Sequence, residues 1–560
     1  MTATLPTLHA LPWLQHLMLA PVLLPLLCGA ALAPLTRGRH RLKFALGYAS
    51  ILAQLAAALV LGAMADGGYW EDGIGVYLAA NWAAPFGIAL VADRLAALML
   101  VLTALLALAA LHFAMLRWER IGVHFHTLFQ FLLMGLNGAF LTHDLFNLFV
   151  FFEVMLAASY GLVLHGYNAQ RLRASMQYIA LNLAAAMLFL IGTALLYAAT
   201  GTLNMADLAW RIAAMAGAGD TADLSLVHAG AAILVLAFLI KSAMWPLGFW
   251  LPTTYAAASP PVAAMLVLMT KVGVVVILRL WLLLFPAGAA GGGYAYDALL
   301  WGGMGTIVFG AAGMLSTGSA GRMAGYAATV SSGTLLAVVG YGQASLVTAG
   351  LFYLIGSTLA VAALLLLLEL VDRIRTPGAA LLAVTMEAWV VEDKPDEPVG
   401  QGVPAALAFL AVSFAACALM IAGLPPLSGF VAKFGMFHAL LNPPAPGAAI
   451  AAPGWTLMAL VFGSGLVAIV AMMRFGVRTF WTSAKLAPPR LHRSEVLPVL
   501  FLLGLSALMT VQAGPLFGYL GRASDGIHRP GDYIARVLRE PAVAAPPPAT
   551  ASATGPAEAP

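Results

Sequence analysis

Apolar residues in this chain come in long runs separated by short polar or glycine- and proline-rich stretches. A helix needs about 20 mainly apolar residues to cross a bilayer, and on that rule the pattern predicts roughly fourteen spans. They fall near 12–34, 44–64, 94–115, 124–142, 145–165, 175–199, 229–250, 262–284, 295–315, 323–342, 347–371, 403–441, 455–474 and 496–516. The run over 403–441 is too long for one span and contains GLPPLSGF, so it reads as two half-helices flanking a break. The run over 229–250 carries MWPLGFWLP near its end and has the same signature. Proline removes a backbone donor and clashes with the preceding turn. Carbonyls freed at membrane depth persist only against protein or a water-filled cavity. The expected fold is an all-α polytopic membrane protein with broken helices.

Between the spans, residues 66–93 contain NWAAPFGIALVAD and read as an extracytoplasmic hairpin or surface element. Residues 384–402 contain EAWVVEDKPDEPVG, an acidic loop expected to be solvated surface or a docking site. The tail from about 541, PAVAAPPPATASATGPAEAP, has the composition of a disordered segment. The expected organisation is N-terminal helices with the hairpin over 1–123, a conducting core over 124–441, C-terminal helices over 442–520 and a disordered tail over 521–560.

Composition sharpens this picture. The chain is 62% hydrophobic and only 9% charged, against about 25% charged residues in soluble domains. A net charge of +4 gives no case for nucleic acid. Cys28 and Cys417 lie in apolar runs and read as small core residues. No Cys/His grouping has metal-ligand spacing, no glycine-rich phosphate loop is present, and no cofactor is expected. No basic residue precedes Arg37, so the first run reads as a retained helix and not a signal peptide.

The basic residues follow a topological rule. Loops of one parity hold Arg37, Arg39, Arg41 and Lys43, then Arg117 and Arg120, Arg171 and Arg173, Arg322, Arg373, Arg375 and Lys394, and finally Arg474, Arg478, Lys485, Arg490 and Arg493. The opposite loops before the tail hold only Arg211, apart from Arg94 at a helix edge. An excess of Lys and Arg marks cytoplasmic loops, so both termini are expected on the extracytoplasmic side.

Four charges break the apolar pattern from within. Lys241 lies in FLIKSAMWPLGFWLP, with Pro246 and Pro252 behind it; Lys433 follows GLPPLSGFVAK, where Pro425, Pro426 and Gly429 break the helix. Lys271 lies in AAMLVLMTKVGVVVILRL, and Glu153 in FNLFVFFEVMLAASYG. A charge at bilayer depth costs about 2.5–3.5 kcal/mol on insertion scales. A chain that repeats this cost is moving charge, unless the side chains snorkel to the interface. Desolvation disfavours a charged lysine and a nearby carboxylate favours it. Lys241 is the expected partner of Glu153, with Lys271 next in a relay gated by opening of the pair. Arg279, two turns beyond Lys271, either shares its role or snorkels. His143 and Asp144 are either an entrance or ordinary interfacial residues.

The motifs FFEVM, FLIKSAMWPLGFWLP, SPPVAAMLVLMTKVGV and GLPPLSGFVAKFG resemble those of the antiporter-like membrane subunits. That family includes proton-pumping subunits of respiratory complex I and of membrane-bound hydrogenases, and the large subunits of Mrp-type cation/proton antiporters. LPPLSGFVAKF, the NWAAPFGIAL hairpin and the length are most similar to its D-type Mrp subunits. The resemblance implies a fourteen-helix core with two inverted five-helix repeats. It places Glu153, Lys241, Lys271 and Lys433 at the family's glutamate and lysine positions on helices five, seven, eight and twelve. It also implies partner subunits A, B, C, E, F and G, protons and Na+ or K+ as cargo, and a bacterial inner membrane. The alternative is a translocase subunit of an NADH–quinone oxidoreductase or a membrane hydrogenase. The chain departs from the pattern in two places. FYLIGSTLAVAALLLL has no histidine, lysine or carboxylate where many relatives carry one, leaving water, Ser357 or Thr358 to bridge. Gly248 and Tyr255 stand near the seventh-helix break, where some relatives have histidine.

Overall fold

A computed structural model describes residues 12–36, 38–122, 124–166, 168–219, 221–288, 292–373, 405–444, 449–481 and 491–540. Thirteen helices among the described residues are long and apolar enough to cross a membrane, and Phe125–Leu141 and Ser428–Leu441 are shorter apolar helices. Ser428–Leu441 is the second half of a broken span, so Phe125–Leu141 completes the expected fourteen crossings.

In chain order the helices begin with α1 (Ala20–Leu32), α2 (His40–Asp66), α3 (Arg94–Ala114), α4 (Phe125–Leu141), α5 (Leu145–Val163) and α6 (Ala169–Thr200). They continue with α7 (Met205–Ala218), α8 (Thr221–Lys241), α9 (Trp250–Ala257), α10 (Pro260–Leu284), α11 (Tyr296–Ser316), α12 (Ala320–Tyr341) and α13 (Ala344–Asp372). The last six are α14 (Ala405–Ala422), α15 (Ser428–Leu441), α16 (Ala452–Gly476), α17 (Arg493–Val511), α18 (Ala513–Ile527) and α19 (Pro530–Arg539). The expected hairpin is present: β1 (Gly75–Leu78) pairs antiparallel with β2 (Ala89–Ala92), Gly75 opposite Ala92 and Leu78 opposite Ala89.

Polar residues sit where helices start, because the first N–H groups of a helix have no partner within it. Asp93 accepts from the Ala96 amide, Asp144 from Asn147 and Asn168 from Arg171. Asp144 is thus a cap on α5. Burial then sorts the helices. The most apolar stretch of α10 is 100% buried and those of α12 and α13 are each 94% buried, whereas those of α1, α14 and α17 are 33% buried. The helix carrying Lys271 is therefore the centre of the bundle, and the outer helices present apolar faces to lipid.

The same-parity loops meet at one end. Arg117 pairs with Glu369 at 3.1 Å and Arg373 with Glu495 at 2.8 Å, while Arg171 Nε donates to the Ala257 carbonyl at 2.7 Å. At the other end lie the β hairpin, α7, α18 and α19, where Arg522 pairs with Asp66 at 2.7 Å and Ser524 donates to the Ala344 carbonyl. The expectation of disorder from 521 is corrected here: the chain is helical through Arg539. The apolar faces of these short helices, with Leu520, Tyr533 and Val537 buried, are diluted by arginines and glycines below the level of a spanning run. The acidic loop at 384–402 and the tail from 541 lie outside the described residues.

Candidate functional site

Lys241 is the last residue of α8, and the chain unwinds after it before resuming as α9. Backbone groups released by the break find partners. The indole of Trp250 donates to the Ile240 carbonyl at 3.2 Å, and the Trp245 amide donates to Thr306 on α11 at 2.9 Å. Lys241 is 5% exposed, so it does not reach the interface. Its ammonium lies 5.0 Å from the centre of the Phe152 ring. Glu153, the next residue on α5, is half-buried and within electrostatic reach of Lys241. Glu153 Oε1 and Lys241 Nζ are both buried and neither makes a hydrogen bond. The structure thus sets Lys241 within electrostatic reach of Glu153, with no hydrogen bond between those two atoms and the ammonium near the Phe152 ring. A cavity of about 10 Å³ beside Lys241 is lined by Phe152, Tyr178, Asn182, Tyr255 and Thr270, room for at most one water.

Lys271 is completely buried on α10. The break after α8 is pressed against this helix. A Cβ on Gly273 would come 2.5 Å from Ser242 Oγ and 3.3 Å from the Phe238 carbonyl oxygen, so any larger residue there would force a shift. Lys271 Nζ donates to Ser331 Oγ on α12 at 2.6 Å, and Ser331 donates to Ser357 Oγ on α13 at 2.8 Å. Ser357 was legible as a bridging candidate; Ser331, in a small-residue helix among glycines and alanines, was not. From this hydroxyl pair a cavity of about 20 Å³ leads to Gly429, Ala432 and Ser464.

Lys433 on α15 is 7% exposed and donates to the Ala422 carbonyl, the C-terminus of α14, at 2.8 Å. Gly465 on α16 makes room for it. A Cβ there would lie 2.9 Å from the ammonium and 2.5 Å from the Ala422 oxygen.

A larger cavity, about 190 Å³, occupies the basic end and is lined by polar groups that include Asn168, Arg171, Glu369 and Asp372. Tyr255 lines both this vestibule and the cavity at Lys241. Its hydroxyl donates to the Leu266 carbonyl at 2.5 Å. Tyr255 therefore separates the two spaces.

Arg279 does not snorkel. It grips Asp93 with two hydrogen bonds of 2.9 Å and reaches His143 Nε2 at 2.8 Å. Burial alone would raise the Asp93 carboxyl, yet Arg279 holds it below the usual carboxylate range. Burial, with Arg279 against it, pushes the His143 imidazole down to about 3, so the ring is neutral. Asp93 was not legible as part of this group, since it stands 186 residues from Arg279.

Residues 142–466 match the family described as NADH:quinone oxidoreductase/Mrp antiporter, TM. The chain is 51% identical to the D subunit of a probable K(+)/H(+) antiporter from Rhizobium meliloti, over 94% of this chain and 98% of that one. It is 31% identical to the D subunit of a Na(+)/H(+) antiporter from Alkalihalophilus pseudofirmus, over 94% and 100%. Among solved structures it resembles a chain of the Mrp complex from Dietzia sp. DQ12-45-1b, with a TM-score of 0.78, 27% identity and coverage of 94% and 100%. The helical architecture, the buried lysines at helix breaks and these matches agree, and the chain belongs to the NADH:quinone oxidoreductase/Mrp antiporter family of membrane subunits.

Proposed function

We propose that this chain is the proton-translocating subunit of a multisubunit monovalent cation/proton antiporter in a bacterial inner membrane, with Glu153, Lys241, Lys271 and Lys433 as its relay. The names of the two relatives, one for K(+)/H(+) and one for Na(+)/H(+) exchange, support the activity and leave K+ or Na+ as the cargo. Both relatives are one subunit of several, which supports a hetero-oligomer. The observation that carries the relay is the placement of the three lysines. All are buried, two stand at helix breaks, and the middle one is hydrogen-bonded through Ser331 to Ser357 on the helix that lacks a charged group.

In this reading a proton enters from the vestibule past Tyr255. Lys241 exchanges its ammonium between the Phe152 ring and Glu153. When Glu153 is withdrawn, Lys241 loses the charge that holds its proton and passes it toward Lys271. The lysine amine left behind is reprotonated from the vestibule. Lys271 is drained through Ser331 and Ser357 toward Lys433, with cavity water closing the remaining gap. Counter-movement of the cation is coupled through the assembled complex.

The test is expression of the whole gene cluster in a host without antiporters, with cation-driven dissipation of a pH gradient read in everted vesicles. Lys241→Ala and Glu153→Ala should each abolish transport while the complex assembles in normal amount. Near-normal transport in either variant overturns the relay.

A further inference from the structure

The Asp93–Arg279–His143 group is at the end of the bundle opposite the basic loops, and the relay described above does not use it. Arg279 lies eight residues beyond Lys271 on the same helix, about 12 Å along the axis. It lines two separate cavities. The inner one, about 10 Å³, is bounded by Thr142, Leu148, Met205 and Val276. The outer one, about 40 Å³, is bounded by Asp93, Arg94, Arg522 and Tyr533. Arg279 is thus the residue that the two cavities share.

His143 fixes what Arg279 responds to. Its Nδ1 faces the Leu141 carbonyl oxygen at 3.0 Å, which can only accept, so Nδ1 carries the ring proton. Nε2 is then the acceptor for Arg279. A second proton at Nε2 would remove that acceptor and set two cations donor to donor. The contact with Arg279 cannot survive protonation of His143. Asp93 is the nearby charge that favours a protonated His143, and both of its carboxylate oxygens are already taken by Arg279. Arg94 and Arg522 are both taken up by Asp66, and Asp144 is turned to its cap on α5. Tyr533 on α19 packs its ring 5.4 Å from His143, and its hydroxyl is buried without a hydrogen-bond partner. It is positioned to take up a displaced N–H donor.

We propose that His143 is a further proton-exchange site of this protein, and that Arg279, held by Asp93, is the bolt that closes the end opposite the basic loops until His143 is protonated. A proton arriving at Nε2 breaks one N–H···N hydrogen bond. Arg279 swings from His143 toward Tyr533, the inner and outer cavities join, and the proton leaves His143 for water in the outer cavity. The neutral ring then recaptures Arg279. This inference rests on the relay reading, since it gives Lys271 a second outlet at the end opposite the basic loops.

The experiment uses the full complex in everted vesicles and two readings: cation-driven proton movement, and passive proton leak under an imposed pH gradient without the cation. His143→Gln keeps an acceptor for Arg279 but no titratable group. It should lower coupled transport at least about tenfold without raising the leak. Asp93→Asn keeps the cap on α3 but weakens the grip on Arg279, because a charge-assisted bidentate pair becomes a neutral one. It should raise the leak several-fold, and adding Lys241→Ala should abolish the extra leak, since the leak runs through the relay. Wild-type transport and leak in both single variants overturn the bolt alone. A leak that persists with Lys241→Ala also overturns it, because the open path then bypasses the relay. Normal transport in Lys241→Ala by itself removes the relay and the bolt with it. If Asp93→Asn reduces the amount of complex, the charge-swapped pair Asp93→Arg with Arg279→Asp decides: restored assembly with a raised leak supports the bolt, and restored assembly with a wild-type leak overturns it.

Discussion

Lys433 Nζ donates to the carbonyl oxygen of Ala422 at 2.8 Å, so the lysine after the break closes the helix before it. The C-terminus of a helix carries partial negative charge from its unpaired carbonyls. The ammonium is therefore part of how the broken helix is held, and its proton state is tied to the shape of the break.

That tie predicts the behaviour of Gly465→Ala. The new methyl would lie 2.9 Å from the ammonium and 2.5 Å from the Ala422 oxygen, against an otherwise apolar helix face. Overpacking of this kind costs about 1–3 kcal/mol. The variant should assemble with a modestly lowered Tm and lose most of its cation-driven proton transport. Transport at the wild-type rate would show that Lys433 need not hold this position.

The hydroxyl pair between α12 and α13 gives a second prediction. Ser331→Ala removes the only hydrogen-bond acceptor of Lys271 among the described contacts, and Ser357→Ala removes the next step. Each should reduce transport, Ser331→Ala more. Residues in one network are non-additive, with interaction energies of about 0.5–3 kcal/mol. The double variant should therefore be little worse than Ser331→Ala alone. Multiplicative losses in the vesicle assay would mean that the two serines act separately.

How far the sequence reaches is clearest at the two breaks. Pro246, Pro425, Pro426 and Gly429 disclosed them because proline and glycine act locally, on one or two turns of backbone. Lys241, Lys271 and Lys433 stood out because a charge inside an apolar run is itself anomalous. Ser331 did not, since a serine in a membrane helix normally bonds back to its own backbone and only the facing lysine gives it another task. Asp93 and Arg279 each looked like interfacial charges, and their pairing joins residues far apart in the chain. The helices after Val511 were hidden for another reason: α19 has too few apolar residues to register as a span, and its buried face exists only because α7, α18 and His143 pack against it.

The buried imidazole sets a pH dependence of stability. His143 is pushed down to about 3 in the folded chain, while an unfolded histidine titrates near 6.5. Between these values the unfolded chain binds a proton that the folded chain does not, so this contribution is complete above pH 6.5 and declines as pH falls. Asp93, held below the carboxylate range, adds nothing to the change above pH 5. The Tm of the purified complex should fall between pH 7 and pH 5, and less steeply in His143→Gln. Equal slopes for the two proteins would contradict a neutral His143.

Phe152 and Glu153 are neighbours in sequence, yet they offer Lys241 two different resting places. One is the face of an aromatic ring 5.0 Å away, the other a carboxylate within electrostatic reach. A desolvated cation–π contact is worth about 2 kcal/mol and an exposed one about 0.5–1 kcal/mol. In the proposed relay that is enough to balance the open and closed forms of the pair without trapping either. Phe152→Met fills similar space without a π face, so the ammonium should stay with Glu153 and the gate should remain shut. Transport should fall by a factor of about 2–30, the range that these energies allow. Phe152→Tyr keeps the ring and should transport nearly as well as the wild type. If Met and Tyr at position 152 lower transport equally, the ring serves packing alone, and Glu153 must gate Lys241 unaided.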